Sequence, residues 1–178
     1  PIKTFFIWEG GMSFHGALLG VVFAVFWLRK SIDINFLQLT DFIVLYVPVG
    51  LFFGRIGNFI NSELYGAPTD SSWGVIFPNL DNIPRHPSML YEAVLEGIVL
   101  FIILLFLSRK YINTPGFLTS IFLIFYSIFR FIVEFVRVPD SHIGYLWSDW
   151  LTMGQLLSVP MVFFGVLLLF NINRRQLK

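Results

Sequence analysis

The groups in this chain that can move a proton or hold an anion fall into four short blocks. The first carries His15 behind Gly10-Gly11-Met12-Ser13-Phe14. The second, Gly54 to Gly66, holds Arg55, Asn58, Asn61 and Glu63. The third, Arg85 to Glu96, holds His86, Glu92 and Glu96. The fourth, Tyr126 to Asp140, holds Arg130, Glu134 and Arg137. Arginine presents a planar fork of donors that matches a carboxylate or a phosphate with two hydrogen bonds. A histidine just inside the start of a helix is disfavoured as imidazolium by the helix dipole, which leaves a neutral ring able to accept a proton. A histidine idle at an interface is the simpler account of His15, and the simpler role of His86 before Pro87-Ser88 is to begin a helix. Arg130 and Glu134, four residues apart, could likewise be an ion pair that only keeps both charges satisfied. A surplus of arginine weighs against that account, because Arg55 and Arg137 also need anionic partners. Glu92 and Glu96 read as partners of these arginines rather than as a paired acid and base. Gly54 and Gly57 leave room for another backbone or a ligand beside Arg55, or for helix packing alone.

The elements that must carry these residues are apolar. Of 178 residues 56% are hydrophobic and 13% charged, with 22 phenylalanines, and the mean hydropathy is +0.76. Soluble domains carry about 25% charged residues. The composition therefore implies an all-α polytopic membrane protein. A net charge of +1 suggests no nucleic-acid partner. Without cysteine there is no disulfide or thiolate nucleophile in the chain. Three scattered histidines give no metal-ligand spacing, and no cofactor is implied.

Hydropathy and turn signals place helices at about 14–28, 36–60, 88–107, 117–136 and 153–170 in a single transmembrane domain. Pro48 is expected to kink the second helix, and Ser13 to cap the first. Arg29, Lys30, Arg109, Lys110, Arg174, Arg175 and Lys178 share one side, which the positive-inside rule makes cytoplasmic. The loops 61–87 and 138–152 then face outward, the latter with Tyr145, Trp147 and Trp150 as interface anchors. With this topology the four blocks meet in the outer half of the membrane. At ~100° per residue, Tyr126, Arg130, Glu134 and Arg137 fan over only about 80° of the fourth helix. A charged side chain at membrane depth is costly and marks a pathway or a site. A transporter or flippase for an anionic solute or lipid would also place arginines in a polar cavity. The inner halves of these helices, however, are nearly bare of charge, with only Asp41 near that end.

The ordered blocks resemble the signature of the bacterial prolipoprotein diacylglyceryl transferases. Gly54-Arg55-Ile56-Gly57-Asn58-Phe59-Ile60-Asn61-Ser62-Glu63-Leu64-Tyr65-Gly66 is similar to the family's signature. Gly10 to Gly16 resembles its histidine block, Arg85 to Glu92 its His-Pro-Ser block, and Tyr126 to Asp140 its arginine-bearing helix. Ala17 and Met89 depart from the family, which often has glycine and glutamine there. The resemblance implies an inner-membrane protein of seven spans, two of which precede the histidine block. With Pro1 in place of a methionine, the chain reads as N-terminally truncated. It further implies transfer of the diacylglyceryl group of phosphatidylglycerol to the lipobox cysteine of a prolipoprotein peptide. In that reaction His15, Arg55 and Arg130 are the catalytic candidates. Asn58, Glu63, Tyr126, Glu134 and Arg137 complete the lipid site, supported by Gly54, Gly57, Asn61, Gly66, His86 and Glu92.

Overall fold

The computed structural model describes residues 14–139, 144–147 and 150–176. The expectations for Ser13, Asp140, His142 and Lys178, and for the side chains of His15 and Arg175, lie outside the described residues. Five helices follow one another: α1 (Phe14–Ile32), α2 (Phe36–Ile60), α3 (Ser88–Tyr111), α4 (Phe117–Val133) and α5 (Met153–Gln176). Among the described residues three stretches are long and apolar enough to cross a membrane: Phe36–Ile60, Ser88–Tyr111 and Met153–Arg174. α4 is apolar but shorter, at 17 residues. Among the described residues the only β pairings are isolated bridges. Large apolar side chains such as Phe23, Trp27, Phe53, Phe106 and Phe164 are exposed on the outside of the bundle, as lipid-facing residues would be.

In lipid the hydrophobic effect does not drive helices together, so close packing must. Leu100 and Leu104 of α3 meet Leu118 and Ile121 of α4 in the core, with Val44 and Leu45 of α2 against them. α2 runs unbroken through Pro48, which is buried, and a second proline, Pro160, lies inside α5. α4 and α5 run antiparallel: Gly165 lies against Ser120 and Ile124, and Gly154 against Glu134. Between these two helices runs an apolar groove of ≈ 470 Å³, walled by Ser127, Phe131, Ser158, Val162 and their neighbours. Its serines present carbon, because Ser127 Oγ donates to the Leu123 carbonyl and Ser158 Oγ to that of Gly154.

Asp41, near the start of α2, is 1% exposed and acts structurally. α4 has no side-chain cap of its own, since Gly116 stands at its N-cap with φ 90°. Asp41 of α2 supplies the cap from across the bundle. Gly116 N donates to its Oδ2 at 2.7 Å, Thr119 N to its Oδ1 at 2.7 Å, and the Thr119 hydroxyl to the same Oδ1 at 2.6 Å. A carboxylate at a helix N-terminus satisfies orphan N–H groups and complements the dipole. Asp41→Ala is expected to cost about 1–3 kcal/mol, because buried donors lose their acceptor. Thermal unfolding of the detergent-solubilised protein checks this, with Asp41→Asn losing less.

The loop from Asn61 to Pro87 is held by short pairings. Gly66 bridges to Arg137, and both Pro68 and Val75 bridge to Arg85. Gly66 has no room for a side chain: a Cβ there would sit 2.5 Å from the Val136 carbonyl oxygen and 2.6 Å from that of His86. On the loop surface Arg85 Nη2 donates to Asp81 Oδ2 at 2.7 Å. That bond holds the Asp81 carboxyl below its ordinary value and raises the Arg85 guanidinium. The folded Asp81 is the more acidic, so its stabilising effect is present above the ordinary carboxylate range. It fades as pH falls through the lowered value.

Candidate active site

The site is built where α2 ends, α3 begins, α4 ends and α5 begins. Arg55 lies on the last turns of α2. Its Nε is 2.6 Å from Glu92 Oε2, its Nη2 is 4.0 Å from Glu96 Oε2, and its Nη1 donates to Asn58 Oδ1 at 3.4 Å. Asn58 in turn donates from Nδ2 to Glu63 Oε2 at 3.1 Å. Glu63 is brought back over the helix end by a tight turn. Asn61 caps α2 through its backbone N–H, Glu63 N bonds the Asn58 carbonyl at 2.8 Å, and Ser62 and Leu64 take left-handed φ of 56° and 58°. Left-handed backbone at non-glycine residues costs of order 1–3 kcal/mol each and persists where its surroundings impose it. Here the Ser88 hydroxyl donates to the Leu64 carbonyl at 2.9 Å.

Glu92 is the hub. Its Oε1 accepts from Arg130 Nη1 of α4 and lies 3.7 Å from Arg137 Nη1. Arg130 Nη2 donates to Glu134 Oε1 at 2.9 Å, and Arg137 Nη1 is 3.9 Å from the same oxygen. One network therefore runs Glu63–Asn58–Arg55–Glu92–Arg130–Glu134, with Arg137 beside its last links. Glu92, Glu96, Glu134 and Arg137 are buried. From Ala93 to Val99, α3 is π-helical. Wide turns of this kind are frequent at functional sites. Glu92 and Glu96, four residues apart, share the face of α3 that meets Arg55.

Two expectations change. The first is the fourth helix, which ends at Val133 rather than 136. Glu134 is its C-cap, and Arg137 lies beyond it, paired with Gly66. The cause is the loop, since Ala67 N donates to the Val136 carbonyl at 2.9 Å and draws that segment out of the helix. Arg137 still reaches Glu92 and Glu134, but from a loop and not along a helix face. The second is the surplus of arginine. Among the described residues, Arg55, Arg130 and Arg137 face three carboxylates, Glu92, Glu96 and Glu134. Among the described residues a Cβ on Gly54 or Gly57 would find nothing within 4 Å.

The remaining predicted residues sit around the network. Tyr126 is one turn before Arg130, stacked on Phe122 with centroids 5.5 Å apart. His86 Nδ1 is 3.1 Å from the Tyr91 hydroxyl, which also accepts from Trp73 Nε1 at 3.0 Å. This trio fastens the loop to the first turn of α3, next to Glu92. Sequence reasoning placed the start of α5 at Met153 but missed the cap that holds it. There Thr152 and Gln155 form a reciprocal capping box, Gln155 N to Thr152 Oγ1 at 3.2 Å and Thr152 N to Gln155 Oε1 at 3.0 Å. Thr152-Met153-Gly154-Gln155 is the Thr-x-x-Gln pattern that signals it. Gly154 in that turn lies against the Glu134 carboxylate, since a Cβ would fall 2.6 Å from its Oε1.

The fold and this cluster define a class: a helical chain with membrane-length apolar helices that gathers three arginines and three glutamates at one end of its bundle. Within that class the chain belongs to the prolipoprotein diacylglyceryl transferase family, whose description fits residues 1–171. It is similar to the phosphatidylglycerol–prolipoprotein diacylglyceryl transferase of Methylococcus capsulatus, 54% identical over 170 residues, which are 95% of this chain and 64% of the relative. The enzyme of the same name from Pseudomonas aeruginosa is 54% identical over 176 residues, 99% of this chain and 66% of the relative. That from Nitratidesulfovibrio vulgaris is 52% identical over 170 residues, 95% of this chain and 64% of the relative. The chain thus spans just under two thirds of the length of these curated relatives.

Proposed function

We propose that this chain carries the site at which the diacylglyceryl group of phosphatidylglycerol is transferred to the lipobox cysteine of a prolipoprotein. The observation that carries the reading is the Arg55–Glu92–Arg130 network around buried Glu92 in a chain of this family. The cysteine sulfur attacks the glyceryl carbon bonded to the phosphate oxygen. The carbon–oxygen bond breaks with its electron pair going to that oxygen, a thioether forms and glycerol phosphate leaves. The thiol proton goes to a base, for which His15 is the candidate. Negative charge grows on the phosphate as the bond breaks, and preorganised arginine donors stabilise such developing charge. In this reading Arg55 and Arg130 hold the phosphate, and Asn58, Glu63 and Glu134 orient them. Arg137, Tyr126 and Glu92 shape the site. The nucleophile belongs to the peptide substrate, consistent with a chain that has no cysteine.

The reading includes a topology. All five helices cross the bacterial inner membrane, and the end with Arg29, Lys30, Arg109, Lys110 and Arg174 faces the cytoplasm. The arginine network then lies at the level of the outer leaflet, where exported prolipoproteins and the lipid donor meet. The test is incubation of the protein with phosphatidylglycerol and a lipobox peptide, followed by mass detection of the thioether. Flux of an anionic solute without product would support a transporter in its place.

Gly154 offers a test of how closely Glu134 must be placed. In Gly154→Ala the added methyl meets the Glu134 carboxylate head-on, so the carboxylate must swing and take Arg130 with it. The expected loss is about tenfold in rate, or ~1.4 kcal/mol of barrier, with the helices intact by circular dichroism. An unchanged rate would show that Glu134 is not a placing group for Arg130.

A further inference from the structure

The network has no spare positive charge to offer an anion, and this bears on how a phosphate can enter. Among the described residues, Arg55, Arg130 and Arg137 face Glu92, Glu96 and Glu134, with pairs at 2.6 to 4.0 Å. The three arginines and these three buried carboxylates sum to zero; Glu63, at the far end of the Asn58 relay, is exposed. Both arginine forks point at carboxylates, so a phosphodiester anion must take donors from them. The occupied site would then carry a net negative charge at membrane depth, which is costly unless it is neutralised.

The carboxylates are not equally held. Glu92 touches Arg55, Arg130 and Arg137, and Glu134 touches Arg130 and Arg137. Glu96 differs. It is 0% exposed, neither of its oxygens has a hydrogen-bond partner among the described residues, and its nearest ion-pair contact there is Arg55 Nη2 at 4.0 Å. It lies one wide π-helical turn deeper than Glu92. The charged and titratable groups facing it are Arg55 from α2, Tyr126 and Arg130 from α4, Arg137 from the segment after α4, and Glu92 on its own helix.

Resting on the function proposed above, we infer that anionic lipid binds here together with a proton, and that Glu96 carries it. As the phosphodiester draws the arginine donors away, Glu96 loses the weak support of its ionised form. A proton taken up from solvent restores a neutral site, and no covalent bond changes in this step. Binding is then linked to pH. Where Glu96 is ionised in the empty site, the dissociation constant rises about tenfold for each unit of pH.

Calorimetric titration of the solubilised protein with a short-chain phosphatidylglycerol, in buffers of different ionisation heat, counts the protons directly. The expected result is about one proton taken up per lipid at alkaline pH, and none with the uncharged short-chain diacylglycerol. E96Q keeps the shape and a neutral side chain, so it should bind the lipid with no proton uptake and with an affinity that does not vary with pH. Glycerophosphoglycerol, the deacylated phosphodiester with the same single charge, assigns the coupling to the phosphate group if it takes up the same proton, and to the intact lipid if it does not bind. Lipid binding with no proton uptake in the unaltered protein would overturn the inference and leave the proposed function standing. Uptake that persists in E96Q would overturn the role of Glu96. Absence of any lipid binding, at any pH, would overturn both.

Discussion

Glu92→Gln is expected to reduce transfer by at least about 10³-fold and to lower the thermal stability of the protein. Glu92 is 1% exposed and holds two arginines from two different helices on its two oxygens, with a third 3.7 Å away. Glutamine has the same outline but presents an amide nitrogen to one of the guanidinium groups. Three cations would then face two carboxylates. Breaking a buried pair from one side costs about 3–5 kcal/mol, because a charge is left uncompensated. Neither Arg55 nor Arg130 would keep its place. Glu92→Asp retains the charge but shortens the reach by one methylene. It can satisfy one arginine and not both, so it should recover stability further than rate. Rates with phosphatidylglycerol and a lipobox peptide, set beside melting curves, separate the two effects. A full rate in Glu92→Gln would remove the network from the reaction.

What could be read from the sequence follows the physics that acts locally. Apolar runs closed by Arg29-Lys30 and Arg109-Lys110 gave the helices, because lipid requires backbone groups to bond within one segment. The grouping of Arg55, Glu92, Arg130 and Glu134 was legible too. Charges are rare in such helices, and the connection order brings alternate helix ends together. What could not be read depends on contacts made across the bundle. Arg137 continues the helical spacing of Tyr126, Arg130 and Glu134, yet loop 61–87 claims the Val136 carbonyl and ends the helix early. Asp41 looked like an isolated inner charge. Its meaning lies in the Gly116 and Thr119 N–H groups, more than seventy residues away in the chain. The charge count went astray for a related reason. Spacing shows which residues share a face, but not that Glu92 on α3 spans two arginines from its neighbours. The π-helical turn of α3, which sets Glu96 under Glu92, has no pattern of its own in Ala93-Val94-Leu95-Glu96.

Arg55→Lys and Arg130→Lys should each lower transfer by about 10²–10³-fold, the cost of losing one preorganised donor at a developing oxyanion. Both keep their charge, so the result turns on geometry. Arg55 divides its donors among Glu92, Asn58 and Glu96. Arg130 uses one Nη for Glu92 and the other for Glu134. An ammonium is a compact point charge that can occupy one of these positions at a time. The two variants need not fail alike. If Arg130 meets the phosphate chiefly as the carbon–oxygen bond breaks, kcat and kcat/KM fall together. If Arg55 holds the lipid equally before and during the reaction, KM rises with kcat little changed. The contacts favour this division. Arg55 lies beside the Asn58–Glu63 relay at the turn that ends α2, and Glu63 there is exposed. Arg130 is tied to the two carboxylates that must release it once the phosphate takes its second charge. Equal losses confined to KM in both variants would make the pair a binding clamp alone. Full activity in both would show that charge suffices and the forked geometry does not matter.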